Sequence, residues 1–218
     1  LFLDFGYHSS NMSDTRPIGF FDSGGGGLSI LKEVQKNLPQ ENIIFIADQK
    51  NIPYGAKSEK DLKNICHKIT TILVKKDIKL LIIACNTATC YALSHLRSEF
   101  KIPIIGVVPA IKPAAKLSKN NKIAILTTPA TAKSKYLNDL ISSFAQEKKV
   151  LTISCLGLED HIENLNKKYI KKLINLYSKK IINFGADVAV LGCTHYPLIK
   201  KDFQKNFTKA IKIIDSSK

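Results

Sequence analysis

The sequence predicts an α/β protein with two similar domains, each a parallel four-stranded sheet flanked by helices, related by a pseudo-two-fold axis with a ligand site in the cleft between them. Eight short apolar runs alternate with segments of helical period, which is the pattern of βαβ units. Equivalent runs in the two halves of the 218 residues start 104, 108, 108 and 108 positions apart, which indicates an internal duplication. The eight predicted strands span residues 18–22, 42–47, 80–84, 103–108, 122–127, 150–154, 188–192 and 211–215.

The segments between these runs predict helices. Ser58 followed by Asp61 forms a capping-box pattern ahead of apolar residues that recur on one face. Residues 160–183 predict a second long helix, in which an apolar stripe faces the core and lysines fall mostly on the other side. The predicted stripe consists of Ile162, Leu165, Tyr169, Leu173 and Leu176.

The duplication divides the chain near its middle. We expect a first α/β domain over residues 16–112 and a second over residues 113–218. Residues 1–15 are expected to be a leader or a disordered segment, since the only methionine is Met12. No low-complexity linker separates the halves, so we expect them to share a substantial interface, and a crevice between two α/β domains is a favoured place for a ligand.

Composition and charge argue against several classes of function. The 33 Lys and Arg residues exceed the 18 Asp and Glu residues and give a net charge of +15, which alone would favour a nucleic-acid partner. Only two residues are arginine, and the lysines are scattered without interleaved aromatics, so we expect no nucleic-acid binding. The longest apolar runs, such as residues 80–85, are about six residues long, whereas a membrane span needs roughly 20. With no signal-peptide pattern, five cysteines and no C-x-x-C pair, we expect a cytoplasmic protein that does not contact membranes.

Two cysteines occupy equivalent positions in the duplication. Cys85 and Cys193 are 108 residues apart, and each follows the third predicted strand of its half. Ligands bind outside the carboxyl ends of parallel strands, so both thiols are expected at one functional edge. Two thiols that face one cleft suit a two-base proton transfer, in which one thiolate removes a proton from carbon and the other thiol returns one to the opposite face. A lone cysteine would more often be inert core, and a metal or redox site is disfavoured because only His195 is a nearby candidate ligand.

A glycine turn follows the first predicted strand. Asp22 and Ser23 precede four consecutive glycines, and backbone amides in such a turn can meet an anion without obstruction from side chains. The pattern fits neither a nucleotide phosphate loop nor a dinucleotide fingerprint, which argues against ATP and NAD, and an ordinary tight turn is the alternative. The counterpart in the second half, residues 127–131, is rich in hydroxyls. Together the two segments predict a carboxylate-binding rim built from both halves.

Six segments in order resemble the glutamate racemase family: IGFFDSGGGGLSIL, NIPYGAKS, IIACNTAT, GVVPA, TTPATAKS and LGCTHYPL. The resemblance runs from about residue 18 to residue 216. Aspartate and hydantoin racemases share the fold and the cysteine pair, but the DSG turn, the PYG and the HYP after Cys193 favour glutamate. The resemblance implies interconversion of L- and D-glutamate with no cofactor and no metal, which supplies D-glutamate for peptidoglycan.

The resemblance also implies roles for single residues. Cys85 would deprotonate the D isomer and Cys193 the L isomer, each acting as acid in the reverse direction. Asp22 and His195 match positions that assist the two thiols and contact the substrate. Further substrate-binding positions, where hydroxyls, an amide and backbone N–H groups hold the two carboxylates, fall on Ser23, Tyr54, Gly55, Asn86, Thr87, Thr131 and Thr194.

The family places one further acid in the second domain, after the sixth strand. Glu159 or Glu163 fits this description, and placement on a solvated helix surface is the alternative for both. Gly25 stands where a larger residue is common in the family. Family members also continue past the last strand into a helix that packs on the first domain, and because the chain ends at Lys218 we expect that helix to be missing.

Two other functions stay open beside the racemase and its expected homodimer. One is a catalytically impaired homologue that acts as an interaction protein, for which family members that inhibit DNA gyrase are a precedent. The other is an aspartate racemase, which would differ only in the pocket. The intact cysteine pair favours an active enzyme, whereas the short C-terminus favours the impaired homologue.

Overall fold

The computed structural model describes residues 14–207 and 210–217 of the chain. These residues form two parallel four-stranded sheets. The predicted leader, residues 1–15, lies outside the described residues apart from Asp14 and Thr15. The first sheet contains β1 (Ile18–Asp22), β2 (Ile43–Ala47), β3 (Leu80–Ile83) and β4 (Ile104–Gly106), and the second contains β5 (Lys122–Thr127), β6 (Lys149–Ser154), β7 (Val188–Leu191) and β8 (Lys212–Asp215).

The two sheets have the same topology. The strand order is β2-β1-β3-β4 in the first and β6-β5-β7-β8 in the second, with all pairs parallel. Ile18 of β1 lies opposite Ile43 of β2, and Ile123 of β5 lies opposite Val150 of β6. The predicted fold class is therefore confirmed, and the repeated order is what a duplication of one βαβ unit set would produce.

Helices connect the strands and cover both faces of each sheet. Within the part of the chain that the structure describes, none is both long and apolar enough to cross a membrane. The helices are α1 (Leu28–Asn37), α2 (Glu59–Val74), α3 (Asn86–Glu99), α4 (Ile111–Leu117), α5 (Pro129–Lys133), α6 (Lys135–Phe144), α7 (Leu158–Glu163), α8 (Lys167–Phe184) and α9 (Lys200–Asn206).

The central strands are buried on both faces, which explains their unbroken apolar sequence. In the first sheet, Phe21 packs with α2 and α3 on one face, and Phe20 packs with α1 on the other. In the second sheet, Leu126 packs with α8 and α9, and Ile125 packs with α4 and α6. This packing fixes the position of each strand end and therefore of the loops that follow.

The strand ends agree with the predictions to within one residue, except in the fourth strand. Residues 103–108 were predicted there, but β4 spans only Ile104–Gly106. Pro103 has no N–H to donate to the ladder, so the strand begins after it. The capping box is confirmed as well, because the Asp61 N–H donates to Ser58 Oγ at 3.2 Å at the start of α2.

The single helix predicted over residues 160–183 is wrong. Leu165 lies between α7 and α8 with a φ of 53°, a left-handed conformation that no α-helix can include. The break shifts the helical phase, so Leu165 is 77% exposed and Leu176 is 48% exposed. The face of α8 that packs on the sheet instead carries Ile170, Ile174, Tyr177, Ser178 and Ile181.

The first helix after β4 packs with the second sheet. Ile111 and Ala114 of α4 belong to the same apolar cluster as Ile123 and Val190 of β5 and β7. The boundary expected between residues 112 and 113 would cut this helix. We therefore propose a domain boundary between β4 and α4.

Candidate active site

The carboxyl ends of the two sheets face each other across one cleft. Asp22 ends β1 and Cys85 follows β3, while Thr128 follows β5 and Cys193 follows β7. The two halves are hydrogen-bonded here, since Thr194 Oγ1 donates to Asp22 Oδ1 at 3.1 Å. The structure thus brings together the strand ends from which the sequence predicts a site.

Cys85 lies at the start of α3 and is 4% exposed. Its sulfur accepts a hydrogen bond from the Ala88 N–H at 3.5 Å and donates to Ser23 Oγ at 3.8 Å. Burial, together with the charge of Asp22, raises the pKa of the Cys85 thiol well above its ordinary value, and the contacts with Ala88 and Ser23 oppose that rise. The thiol is therefore protonated in the empty site, with the N-terminus of a helix available to stabilise a thiolate.

Cys193 occupies the equivalent position in the second half and is 7% exposed. Its sulfur lies 3.8 Å from Nδ1 of His195. Burial, together with the charge of Glu159, raises the pKa of the Cys193 thiol well above its ordinary value. The two thiols are thus alike in burial but differ in their partners, which are a helix N-terminus for Cys85 and an imidazole for Cys193.

Asp22 is fully buried and is bound by the glycine turn that follows it. Its Oδ2 accepts from the Gly27 N–H at 2.9 Å and from the Gly24 N–H at 3.2 Å. Burial raises the pKa of Asp22, although the neighbouring His195 and these N–H groups oppose the rise. The amides of the turn bind the protein's own carboxylates, Asp22 and Glu163, and a rim that binds substrate carboxylates stays a prediction.

His195 is held by Glu163. The carboxylate Oε2 of Glu163 lies 2.8 Å from His195 Nε2, and the Gly25 N–H donates to both carboxylate oxygens at 3.2 Å from the opposite half. Burial raises the pKa of Glu163, but the hydrogen bonds from His195 and Gly25 outweigh it and leave the pKa below its ordinary value. Because a carboxylate only accepts, Nε2 of His195 carries a proton and Nδ1 is left to accept from the Cys193 thiol.

Glu159 lies on the same helix as Glu163 but contacts a different group. It is 6% exposed, and its Oε1 accepts from the Gly55 N–H across the cleft at 3.0 Å. Burial raises the pKa of Glu159 to about 7. Both acids that the sequence offered for the family position therefore point into the cleft, and neither lies on a solvated helix surface. Glu163 is the one that contacts His195.

A cluster of three threonine hydroxyls joins the two halves beside the thiols. Thr87 Oγ1 lies 2.9 Å from Thr128 Oγ1 and 3.0 Å from Thr131 Oγ1, and all three side chains are buried. The hydroxyl of Thr131 is engaged within this cluster. Thr131 is therefore placed to orient Thr87. Sequence reasoning did not single out Thr128, whose hydroxyl also caps α5 by accepting from the Thr131 N–H.

Tyr54 and Asn86 are buried, with different degrees of hydrogen bonding. The Tyr54 hydroxyl donates to Asp48 Oδ2 at 2.7 Å, so its proton is already engaged. Asp48 escaped the sequence reasoning, since it carries no motif. The side-chain oxygen of Asn86 has no partner among the described residues, and a buried acceptor of this kind is suited to receive a donor from a ligand.

A cavity of about 420 Å³ adjoins Gly55 at the junction of the halves. Lys57 and Lys133 line it together with Tyr91 and Ala130. Two lysines at this position attract anions, and the overall charge of +15 adds to the attraction. Among residues 14–207 and 210–217, no group of three or more His, Cys, Asp and Glu side chains is arranged to hold a metal ion.

Two buried thiols lie at equivalent strand ends of one cleft, an arrangement that acid–base chemistry at a carbon centre could use. Residues 28–218 match the model of the Asp/Glu/hydantoin racemase family. The chain belongs to this family.

The relatives in sequence cover most of the chain. The glutamate racemase of Clostridium novyi is 42% identical over 209 residues, which is 92% of this chain and 79% of that protein. The glutamate racemase of Deinococcus radiodurans is 36% identical, over 92% of this chain and 70% of that protein.

Solved structures agree. Escherichia coli glutamate racemase, in complex with L-glutamate and the activator UDP-MurNAc-Ala, has a TM-score of 0.83 at 32% identity, over 93% of this chain and 78% of that one. Francisella tularensis glutamate racemase, in complex with D-glutamate, has a TM-score of 0.81 at 32% identity, over 94% and 77%. The aspartate racemase of Picrophilus torridus is 19% identical with a TM-score of 0.63 over 93% and 89%, and shares the fold.

The buried carboxylate of Glu159 predicts a pH-dependent effect on stability. Its pKa is raised from 4.5 to about 7, so the folded state disfavours the ionised form, and the resulting loss of stability is complete above pH 7 and absent below pH 4.5. Glu159→Gln cannot ionise. Between those pH values it should therefore gain stability over the parent, by up to on the order of 3 kcal/mol.

Urea unfolding of both proteins from pH 4 to pH 8 measures this difference. The exposed Glu147→Gln is the matched control, and its stability relative to the parent should be independent of pH. A flat difference for Glu159→Gln as well would show that the carboxylate is not held in a desolvated site.

Proposed function

We propose that this protein interconverts L- and D-glutamate by two-base proton transfer, as a glutamate racemase. The observation that carries the proposal is the pair Cys85 and Cys193, buried at equivalent strand ends of one cleft. One thiolate takes the proton from Cα, and the opposite thiol gives its own proton to the other face of the resulting carbanion. The first sulfur ends as a thiol and the second as a thiolate, so protons and charge balance without a cofactor.

Cys193 acts with His195 and Glu163 on the L isomer. Its thiol proton passes to His195 Nδ1, 3.8 Å away in the empty site, and Glu163 on Nε2 stabilises the imidazolium that forms. The resulting thiolate removes the proton of L-glutamate. A raised thiol pKa is favourable here, because a desolvated thiolate is a strong base toward a weakly acidic carbon.

Cys85 performs the same step on the D isomer with different support. The N-terminus of α3 and the Ala88 N–H stabilise its thiolate, and Asp22 is the nearby carboxylate that can share its proton. Asp22 is kept in reach by Gly24 and Gly27, which hold its other oxygen. The assignment of Cys85 to the D isomer follows the family resemblance.

The substrate is held by groups from both halves. Asn86 and Thr87 lie in the first turn of α3 next to Cys85, and Thr194 follows Cys193. Hydroxyls and backbone N–H groups there can bind the α-carboxylate, and side-chain oxygens can accept from the ammonium group. Ser23, which contacts Cys85, and the Tyr54–Gly55 backbone suit the distal carboxylate. Thr131 supports this set through Thr87.

D-Glutamate made in this way is used in peptidoglycan. The proposal includes a cytoplasmic location, where a precursor of the cell wall would be made and free thiols persist. A homodimer of the 24.2 kDa chain is also part of the proposal, and light scattering measures it directly.

A substrate panel tests the function. We expect circular dichroism to decay to zero from either L- or D-glutamate without added cofactor, and to stay constant with L- or D-aspartate. Decay with aspartate alone would identify an aspartate racemase. Glutamate that binds but never racemises would identify the impaired homologue instead.

Replacing either thiol should abolish turnover. Cys85→Ser and Cys193→Ser should each lower kcat by about 10²- to 10⁴-fold, because a serine hydroxyl neither ionises nor returns a proton as readily. Cys90→Ser, a half-buried cysteine outside the cleft, is the control and should keep the parent rate. Racemisation at the parent rate in both cleft variants would refute the two-thiol mechanism.

Removing the charge on Glu163 should slow the reaction in both directions. Glu163→Gln loses the charge-assisted hydrogen bond that directs His195 Nδ1 toward Cys193, and we expect kcat/KM to fall by about 10- to 100-fold. Because the two isomers have equal free energies, kcat/KM must fall by the same factor from either side. The control Asp160→Asn, one helix position after Glu159, should leave kcat/KM unchanged for both isomers. If kcat/KM is also unchanged in Glu163→Gln, Glu163 takes no part in the proton transfer.

A further inference from the structure

The side chain of Glu159 has the same end group as the proposed substrate. A carboxylate on two methylenes enters the cleft from α7 and accepts a hydrogen bond from the Gly55 N–H at 3.0 Å. Glu159 is 104 residues away in sequence and belongs to the opposite half, so the contact spans the cleft. Glu163, on the same helix, is already committed to His195 and Gly25.

The Gly55 N–H is built to meet a carboxylate. Gly55 is buried in the 3-10 turn Tyr54–Ala56, and among the described residues its N–H has no partner other than Glu159. A Cβ at this position would lie 2.5 Å from Glu159 Oε1 and 2.7 Å from Thr128 Cβ. Only glycine at this position lets the second half approach closely enough for the Gly55 N–H to reach a carboxylate across the cleft.

The contact can be displaced. The Gly55 N–H is the only hydrogen bond that the buried Glu159 carboxylate receives from the described residues, whereas buried ionised carboxylates usually have several donors. Asp22 and Asp160 disfavour its ionised form, whereas the Gly55 N–H and the neighbouring His195 favour it. Burial raises its pKa to about 7, which shows how weakly the cleft compensates this charge.

We propose that Glu159 is an internal stand-in for the distal carboxylate of the substrate. In the empty cleft it occupies the Gly55 N–H and ties α7 to the first half. Substrate binds by displacing it, and the substrate's own distal carboxylate then takes over the same donor. This inference rests on the proposed function. It makes Glu159 a determinant of affinity and specificity, because only a dicarboxylic amino acid long enough to reach Gly55 replaces the hydrogen bond that Glu159 loses.

The consequence for kinetics differs from that of a catalytic or a structural residue. Glu159→Ala frees the Gly55 N–H, so KM for both isomers should fall by about 3- to 10-fold as competition is removed. Burial, more than the charge of Glu159, raises the pKa of the Cys193 thiol, so kcat should stay within about twofold of the parent. A catalytic residue would lower kcat, and a purely structural one would raise KM.

Two further variants complete the kinetic experiment. Glu159→Gln keeps the size of the side chain but loses the charge, and it should lower KM by a smaller factor than Glu159→Ala. It provides the test if Glu159→Ala does not fold. The control Glu147→Gln removes an exposed charge and should leave KM unchanged. An unchanged or raised KM in Glu159→Ala and Glu159→Gln would overturn the inference.

A second measurement follows the Gly55 amide proton by NMR in the full ¹⁵N-labelled chain, with glutarate as the probe. Glutarate carries both carboxylates but no amino group, so it binds without turnover. In the parent it should shift the Gly55 resonance little, since one carboxylate replaces another. In Glu159→Ala the resonance should start upfield and move downfield as glutarate is added.

The two measurements separate this inference from the proposed function. If the parent fails to racemise glutamate, the proposed function fails, while the glutarate titration still reports on the Gly55 site. If the parent racemises glutamate but the Gly55 resonance responds identically in the parent and in Glu159→Ala, the stand-in role of Glu159 is refuted alone.

Discussion

The site depends on three carboxylates held between the two sheets, of which Asp22 and Glu159 are buried. Asp22, Glu159 and Glu163 are each bound by backbone N–H groups, because an ionised carboxylate cannot be buried without donors. Asp22 takes its donors from its own glycine turn, whereas Glu159 and Glu163 take theirs from the opposite half. The position of α7 is therefore tied to the first sheet by electrostatics, and the cleft closes around these contacts.

The same burial sets the state of the thiols. Cys85 and Cys193 lie in a low-dielectric cleft that contains carboxylates, so both pKa values are raised and both sulfurs hold their protons until a partner accepts one. The duplication placed the two sulfurs symmetrically, but not their partners. A helix N-terminus supports Cys85 and His195 supports Cys193, so the two halves reach the same proton transfer through different chemistry.

Periodicity was a good guide where one element packs on one surface. Seven of the eight strands lie within one residue of their predicted ends, because burial on both faces requires an unbroken apolar run. The Ser58 cap also lies where the sequence predicts it, because a cap is a local hydrogen bond. The prediction failed at residues 160–183. A left-handed residue at Leu165 leaves no mark in the spacing of apolar residues.

Hydrophobic period and parallel topology were enough to predict the fold class, the duplication and the placement of Cys85, Cys193 and the glycine turn at strand ends. The contact of Glu163 with His195 and that of Glu159 with the Gly55 N–H could be found only from the packed halves. These contacts join residues more than 30 and 100 positions apart. They depend on how two domains pack, and packing between domains is set by shape and charge at distances that no local pattern encodes.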